Sequence, residues 1–436
     1  MPLAARNALF CFPDIYANLT ETTTMTTRTA RLMLLSGVAS AAMMGHASAL
    51  EAQAFVDRVE EVYRTIGYDF SFGPATLNGD TVTVDGVTVA FTEMDDDHEP
   101  IEFNPQIVFS GITEEADGRY FVRSVTIPDI DEDIVAEPPG HITLADIEVS
   151  NVYLPAGEID ARAKLQLMGS FTTGALTLSR DGVPALSYDS LDISSTFEPA
   201  QGPEMNSLTS SIAISGIEGN FAAFRDDAEE AQAWVQAIDF DNFNGDITEH
   251  LTWSMTDGRL NMDEFRFAFD EQGTLDISME ATGVTPETLD EIFAMQARMA
   301  TNGEQSEEQS QAQMMQGLAL LQNVNVVGAS IRYDDASLVN KALDYLARQN
   351  GADDRDSYVA GLVSTLPALV GQAGVPELTD IVVEPVTAFL QDPQSLEIVV
   401  APPSPTSVLV LAAAAANPAA MITALGLSVQ ANTPAQ

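Results

Sequence analysis

The sequence is almost without cysteine and poor in basic residues. Its 436 residues include one cysteine and two lysines, Lys164 and Lys341, and 65 acidic residues outnumber 18 basic ones, for a net charge of −47. A nucleic-acid-binding surface needs the opposite sign, so the charge excludes nucleic acid as a partner. It also disfavours electrostatic binding to anionic lipid headgroups. Two explanations of the acidity stay open: a salty habitat, where counterions screen repulsion, and an envelope rich in divalent cations.

The N-terminal residues have the layout of a secretory signal. Arg28 and Arg31 precede an apolar run over residues 32–44, and Ala47-Ser48-Ala49 has the small-residue pattern of a cleavage site. The apolar run is too short to cross a bilayer. We therefore expect residues 1–49 to be an upstream segment and signal peptide, and the mature chain to have no transmembrane span. The single cysteine lies ahead of the cut, which suits an exported protein without disulfides.

Residues 251–283 show the clearest pattern in the chain, three consecutive strands. Apolar and polar residues alternate, and Asp257-Gly258 and Gln272-Gly273 separate the runs. Successive side chains on a strand point to opposite faces, which predicts one apolar face and one polar, largely acidic face. The alternation slips phase between Met262 and Phe265, which predicts a bulge that curves the sheet. The candidate ligand-binding residues on the apolar face are Trp253, Met255, Phe265, Phe267, Phe269, Leu275 and Ile277.

Weaker alternation recurs on both sides of this stretch, together with several helical patterns. The sequence predicts an α+β fold, with a long, curved, mainly antiparallel sheet, helices packed on it, and a helix-rich C-terminal part. A polar linker over residues 301–313 is rich in Gln, Glu and Ser. It is expected to separate a β-rich domain, residues 50–300, from an α+β C-terminal domain, residues 314–436.

Three local patterns each predict a particular element. Apolar residues at helical spacing predict a helix over residues 51–67. Asp85-Gly86 between two runs of valines predicts a two-residue hairpin. Residues 407–427 are the most apolar segment of the mature chain, for which we expect a buried strand over residues 407–411, then a helix and a last strand.

No catalytic constellation is evident in the sequence. Its densest group of potential metal ligands contains Asp95, Asp97 and His98, which could form a weak Ca²⁺ site; a solvated acidic loop is the alternative. The run Asp129–Asp133 begins like a calcium loop but has Ile134 where that loop needs glycine. Zinc-protease, nucleophile-elbow and phosphate-loop motifs are missing. We therefore expect no enzymatic activity and no cofactor beyond weak Ca²⁺.

Three short stretches resemble uncharacterised exported proteins of alphaproteobacteria: ASIRYDDASL at 329–338, FLQDPQSL at 389–396 and LGLSVQAN at 425–432. The strands of residues 68–283, punctuated by Asp-Gly, are similar to those of YdgA-like and AsmA-like periplasmic proteins. The resemblance implies a β-rich periplasmic protein of a Gram-negative envelope and, for the AsmA-like group, a sheet curved into a lipid-holding groove. Those proteins usually carry an N-terminal membrane anchor, whereas this sequence has a cleavable-signal pattern.

Three functional hypotheses follow. The first is a periplasmic protein that binds or carries a lipid or other apolar ligand on a curved sheet, since an uncovered apolar face forms a binding site. The second is a non-enzymatic structural or adaptor protein of the envelope, with another envelope protein as partner, whose apolar face is filled by helices. The third, ranked last, is a metal-assisted hydrolase that uses the acidic loop around His98.

Overall fold

The structure is a computed structural model that describes residues 50–434 except 92–100, 135–137, 158, 168, 200–201, 203, 225–233, 239–240, 302–316, 318–321, 373 and 415–416. The predicted signal peptide, almost all of the predicted linker and the candidate ligands Asp95, Asp97 and His98 lie outside the described residues.

The described chain forms one large, open, antiparallel sheet of 21 strands. The strands are β1 (Tyr68–Phe72), β2 (Ala75–Asn78), β3 (Thr81–Phe91), β4 (Ile101–Ser110), β5 (Thr113–Glu114), β6 (Tyr120–Ile127), β7 (Ile130–Ile134), β8 (Gly140–Leu144), β9 (Ile147–Leu154), β10 (Ser170–Thr173), β11 (Leu176–Arg180), β12 (Val183–Tyr188), β13 (Ser190–Glu198), β14 (Ser207–Asn220), β15 (Asn242–Ser254), β16 (Arg259–Phe269), β17 (Gly273–Thr282), β18 (Asn325–Asp335), β19 (Ser395–Val400), β20 (Thr406–Ser407) and β21 (Leu427–Ala431).

Helices lie at the start of the described chain, between strands, and mostly after β17. They are α1 (Ala52–Arg64), α2 (Ala161–Leu165), a 3₁₀ turn (Phe221–Phe224), α3 (Pro286–Thr301), α4 (Leu338–Gln349), α5 (Arg355–Gly371), α6 (Pro376–Gln391), α7 (Val408–Ala414) and α8 (Pro418–Leu425). The α+β prediction, with a curved antiparallel sheet, is confirmed. The predicted N-terminal helix is confirmed as α1.

The main path through the sheet runs β3–β4–β6–β9–β10–β13–β14–β15–β16–β17–β18–β19–β21. A side branch leaves β14 through β12, β11 and β8 to β7. β17 and β18, which lie on either side of the predicted linker, are hydrogen-bonded neighbours. The strands of both predicted domains therefore belong to one sheet.

A line of backbone breaks crosses the middle strands and separates β6 from β7, β8 from β9, β10 from β11, and β12 from β13. Aspartate side chains accept from backbone amides near these breaks: the Asp146 amide donates to Asp129 Oδ1 at 2.9 Å, and the Gly216 amide of β14 donates to Asp246 Oδ1 of β15 at 2.9 Å. Gly216 has a φ of +66°, which glycine adopts without steric cost. At these positions side-chain carboxylates, in place of the strand ladder, satisfy backbone amides.

The predicted bulge and the predicted hairpin had different outcomes. The pairing of β16 with β17 shifts register between Met262 and Phe265, so the predicted bulge is confirmed. The predicted hairpin at Asp85-Gly86 is wrong, because β3 continues through both residues with a register shift against β4. The Gly86 carbonyl accepts from the Gly73 amide at 2.9 Å, and Gly86 has a φ of +85°. A glycine with a positive φ occurs in β-bulges as well as in hairpin turns. The Asp-Gly pair alone therefore does not distinguish the two.

The strand predicted over residues 407–411 is also wrong. β20 ends at Ser407, whose hydroxyl accepts from the Leu409 amide at 3.2 Å, and α7 follows directly. An alanine run favours helix over strand. Val410 of α7 is 54% exposed, so this apolar segment is not buried. The helix and last strand predicted after it correspond to α8 and β21.

Candidate functional site

A single row of side chains crosses one face of the sheet through fourteen strands. Residues directly opposite each other in an antiparallel pair share a face, so the register can be followed from strand to strand. At about 4.8 Å between strands the row is about 62 Å long. We call it the apolar row; its members are Leu77, Val82, Phe109, Val125, Val149, Phe171, Ile193, Ile212, Glu249, Phe265, Ile277, Ile331, Ile398 and Val429.

Helix α1 covers the apolar row near its N-terminal end. Val82 is 0% exposed, and Phe109 and Val125 are buried with it in one cluster. The Phe55 ring of α1 meets the Phe109 ring edge-to-face, with centroids 5.3 Å apart. Phe55 is fully buried. Burial of its apolar stripe is the main way in which an amphipathic helix stabilises a fold. Here the apolar face is a filled core.

A second filled patch contains two of the predicted ligand-binding residues, Trp253 and Met255. Each is 3% exposed, and they pack with Phe197, Leu208 and Met205 in one cluster. The Trp253 indole Nε1 donates to the Val284 carbonyl oxygen at 2.7 Å, which satisfies its only polar atom. Both side chains are therefore closed to a ligand in this structure.

The same face carries exposed apolar side chains on β17, β18 and β19. Ile331 is 48% exposed, its cross-strand partner Ile398 is 42% exposed, and Met279 is 40% exposed. Four predicted residues, Phe265, Phe267, Leu275 and Ile277, share this face and are half-buried. We define the open strip as Phe265, Phe267, Leu275, Ile277, Met279, Ile331 and Ile398.

Phe269, the remaining predicted residue, lies at one end of the open strip. Its ring packs edge-to-face on Phe243, with centroids 5.5 Å apart. Phe243 also lines an apolar pocket of about 360 Å³, together with Phe221, Leu178 and Leu186. The apolar surface thus continues from the strip across β15 towards the side branch of the sheet.

The opposite face of the sheet is polar. A row of serines crosses six strands, and the hydroxyls of Ser194 and Ser211 are 2.7 Å apart. Further along, Arg266 pairs with Asp276 at 3.2 Å, and Arg332 pairs with Glu397 at 3.4 Å. The sheet therefore separates apolar from polar side chains over its length. The serine row consists of Ser110, Ser124, Ser150, Ser170, Ser194 and Ser211.

Glu249 is the one member of the apolar row that is not hydrophobic. Its cross-strand neighbours are Ile212 and Phe265, and Ile247 and Leu251 flank it on the same face of β15. Burial raises the pKa of the Glu249 carboxyl above its ordinary value, and the adjacent His250 acts in the opposite direction. Among the described residues, no hydrogen bond or ion pair to this carboxylate is present.

Sequence reasoning missed Glu249, Ile331 and Ile398 as parts of the candidate site. The signal for Glu249 was an acidic residue at the position where β15 alternation calls for an apolar one. Ile331 and Ile398 each alternate with polar neighbours, but sequence alone does not show that two distant isoleucines are directly opposite each other. Their placement depends on the strand register.

Outside the strip, one histidine lies between two aspartates. His141 lies between Asp131, at 3.1 Å from Nε2, and Asp133, at 2.9 Å from Nδ1. Within the described ranges, no three such side chains are arranged to hold a metal ion. The Ca²⁺ prediction at Asp95, Asp97 and His98 concerns residues that are not described and stays a prediction.

In the part of the chain that the structure describes, none of the helices combines the length and apolarity required to cross a bilayer. A family model whose description is "Uncharacterized protein" matches residues 266–432, from β16 to the residue after β21. All three stretches on which the sequence resemblance was based lie within these residues. A search of the curated proteins with this sequence finds no match.

Proposed function

We propose that the protein binds a lipid or other apolar ligand on the open strip of its curved sheet. The observation that carries the proposal is the exposure of Ile331, at 48%, beside Ile398, at 42%, on a face that α1 buries near the N-terminal end of the sheet. Contiguous exposed apolar side chains mark binding surfaces more often than isolated ones do.

The shape of the strip supports an extended alkyl chain as the ligand. From Glu249 to Val429 the apolar row crosses five inter-strand steps, about 24 Å. Each methylene that such a chain buries contributes about 0.8 kcal/mol. A row one side chain wide offers this burial to an extended chain and much less to a compact molecule.

We further propose a periplasmic location after removal of the N-terminal segment. The support is the signal-like pattern that ends at Ala49 and a mature sequence without cysteine. The net charge of −47 argues against recruitment by anionic headgroups. The apolar face, rather than surface charge, would then supply the affinity.

Fluorescence titration with N-phenylnaphthylamine, a neutral apolar dye that brightens when it leaves water, tests the proposal. We expect saturable binding to the wild-type protein. Ile331→Asp places a charge in the open strip and should weaken binding about tenfold or more. Because Ile331 is half-exposed, the fold should survive this change.

Gln430→Asp is the matched control, since it adds the same charge at an exposed position on the polar face of β21. This variant should bind the dye as the wild type does. Wild-type protein that binds no dye, and carries no lipid when purified without detergent, would instead support a structural or adaptor protein.

A further inference from the structure

We propose that Glu249 determines headgroup specificity, and that the ligand is a long-chain amphiphile with a protonated amine. This inference rests on the proposed function of the open strip. The chemistry of such a ligand fits the site at both ends: the chain would lie along Phe265, Ile277 and Ile331, and the ammonium would contact the Glu249 carboxylate.

The position of Glu249 is the first reason. It occupies the ninth of fourteen places in the apolar row, directly opposite Ile212 on one side and Phe265 on the other. Five hydrophobic residues follow it towards β21. A carboxylate at the inner end of an exposed apolar strip matches the layout of an amphiphile, with one polar end and one apolar chain.

The cost of this carboxylate is the second reason. Ile247 and Leu251 extend the apolar surroundings of the half-buried Glu249 along β15, and even partial removal of a carboxylate from water is unfavourable. Its sequence neighbour His250 points to the opposite face of β15 and pairs with Asp263, at 3.2 Å. A ligand ammonium would offset this cost through a charge-assisted hydrogen bond to the Glu249 carboxylate.

Because the whole protein is acidic, it could attract any cationic ligand through its overall charge. The experiment must therefore separate the effect of Glu249 from that of the net charge. Dodecylamine, dodecanol and dodecanoate differ only in the headgroup, and each can be titrated against the bound dye below its micelle concentration or, for dodecanol, its solubility limit. For the wild type we expect the amine to bind most tightly. In Glu249→Gln the affinity for the amine should fall about tenfold, with dodecanol unchanged.

Glu148→Gln is the matched control because Glu148 is exposed on the polar face and its replacement removes the same charge. Its amine affinity should equal that of the wild type. Glu249→Asp, which keeps the charge, should retain the amine preference in part. Circular dichroism melting curves would confirm that all three variants are folded.

The outcomes separate this inference from the proposed function. Equal wild-type affinities for the three ligands, or equal losses in Glu249→Gln and Glu148→Gln, would overturn the role of Glu249 but leave apolar binding intact. If neither the dye nor any of the three ligands binds, both proposals fail.

Discussion

Two regions of one sheet face carry the same pattern of side chains and differ in what covers them. Near the N-terminal end, α1 packs in one buried cluster with Val82 and Phe109, and its Phe55 ring contacts the Phe109 ring. On β18 and β19, Ile331 and Ile398 are nearly half exposed. Alternation in a strand therefore specifies an apolar face, and the position of a helix decides whether that face becomes a core or a surface.

The comparison predicts that truncation is most damaging under α1. Phe55→Ala should lower the free energy of unfolding by about 3–5 kcal/mol, because a fully buried ring is lost and a cavity remains. Ile331→Ala should cost less than about 1 kcal/mol. Urea titrations of the two variants measure the difference, and equal losses would contradict it.

Cysteine labelling compares the solvent accessibility of the same two regions. In a Cys11→Ser background, Ile331→Cys should react readily with a maleimide. Val82→Cys should react at least about a hundredfold more slowly, because its labelling needs local opening of the core. Similar rates would mean that α1 does not protect the face, and urea-unfolded protein supplies the reference rate.

Trp253 tests the second covered patch. Trp253→Phe removes the hydrogen bond to the Val284 carbonyl and part of the packed volume, and should cost about 1–3 kcal/mol. Dye binding should be unaffected, because Trp253 is buried away from the open strip. A loss of binding in a folded Trp253→Phe protein would show that the site extends into this patch.

The smallest expected effect concerns the pH dependence of stability. Burial raises the native-state pKa of Glu249 above its ordinary value of 4.5, so its ionisation is disfavoured in the folded protein. The stability contributed by the protonated form is complete below that ordinary value and is lost as pH rises through the native pKa.

Glu249→Gln should therefore raise the melting temperature slightly at about pH 8 and leave it unchanged at about pH 3.5. Thermal melts of this variant, the wild type and Glu148→Gln check the sign. A gain at acidic pH, or a loss at alkaline pH, would contradict the burial of the Glu249 carboxyl.

Sequence patterns predicted correctly which side chains share a face of the sheet. They did not predict which parts of that face other residues bury. Period-two alternation placed Phe265, Phe267, Leu275 and Ile277 on one face, and the phase slip located the bulge before Phe265. These features are local. Trp253 continues the same alternation, yet it is closed to ligands by contacts with residues far away in sequence.

The wrong and missed predictions share a physical origin: a short stretch of sequence can form two local structures of similar energy, and distant contacts decide between them. Asp85-Gly86 satisfies both a hairpin turn and a bulge, and pairing on both sides of β3 selects the bulge. The candidate site needed strand register, which joins Ile331 to Ile398 across 67 residues of sequence. Register depends on all the strands together, so no local pattern reveals it.

Photocrosslinking with a long-chain alkyl alcohol that carries a diazirine tests the central claim most directly. Peptide mass spectrometry of the labelled protein should place the crosslinks on β16, β17 and β18, at peptides that contain Phe265, Ile277 and Ile331. Peptides that contain Phe55 and Val82 should be unlabelled. Crosslinks at the α1-covered end, or none in the open strip, would contradict the account.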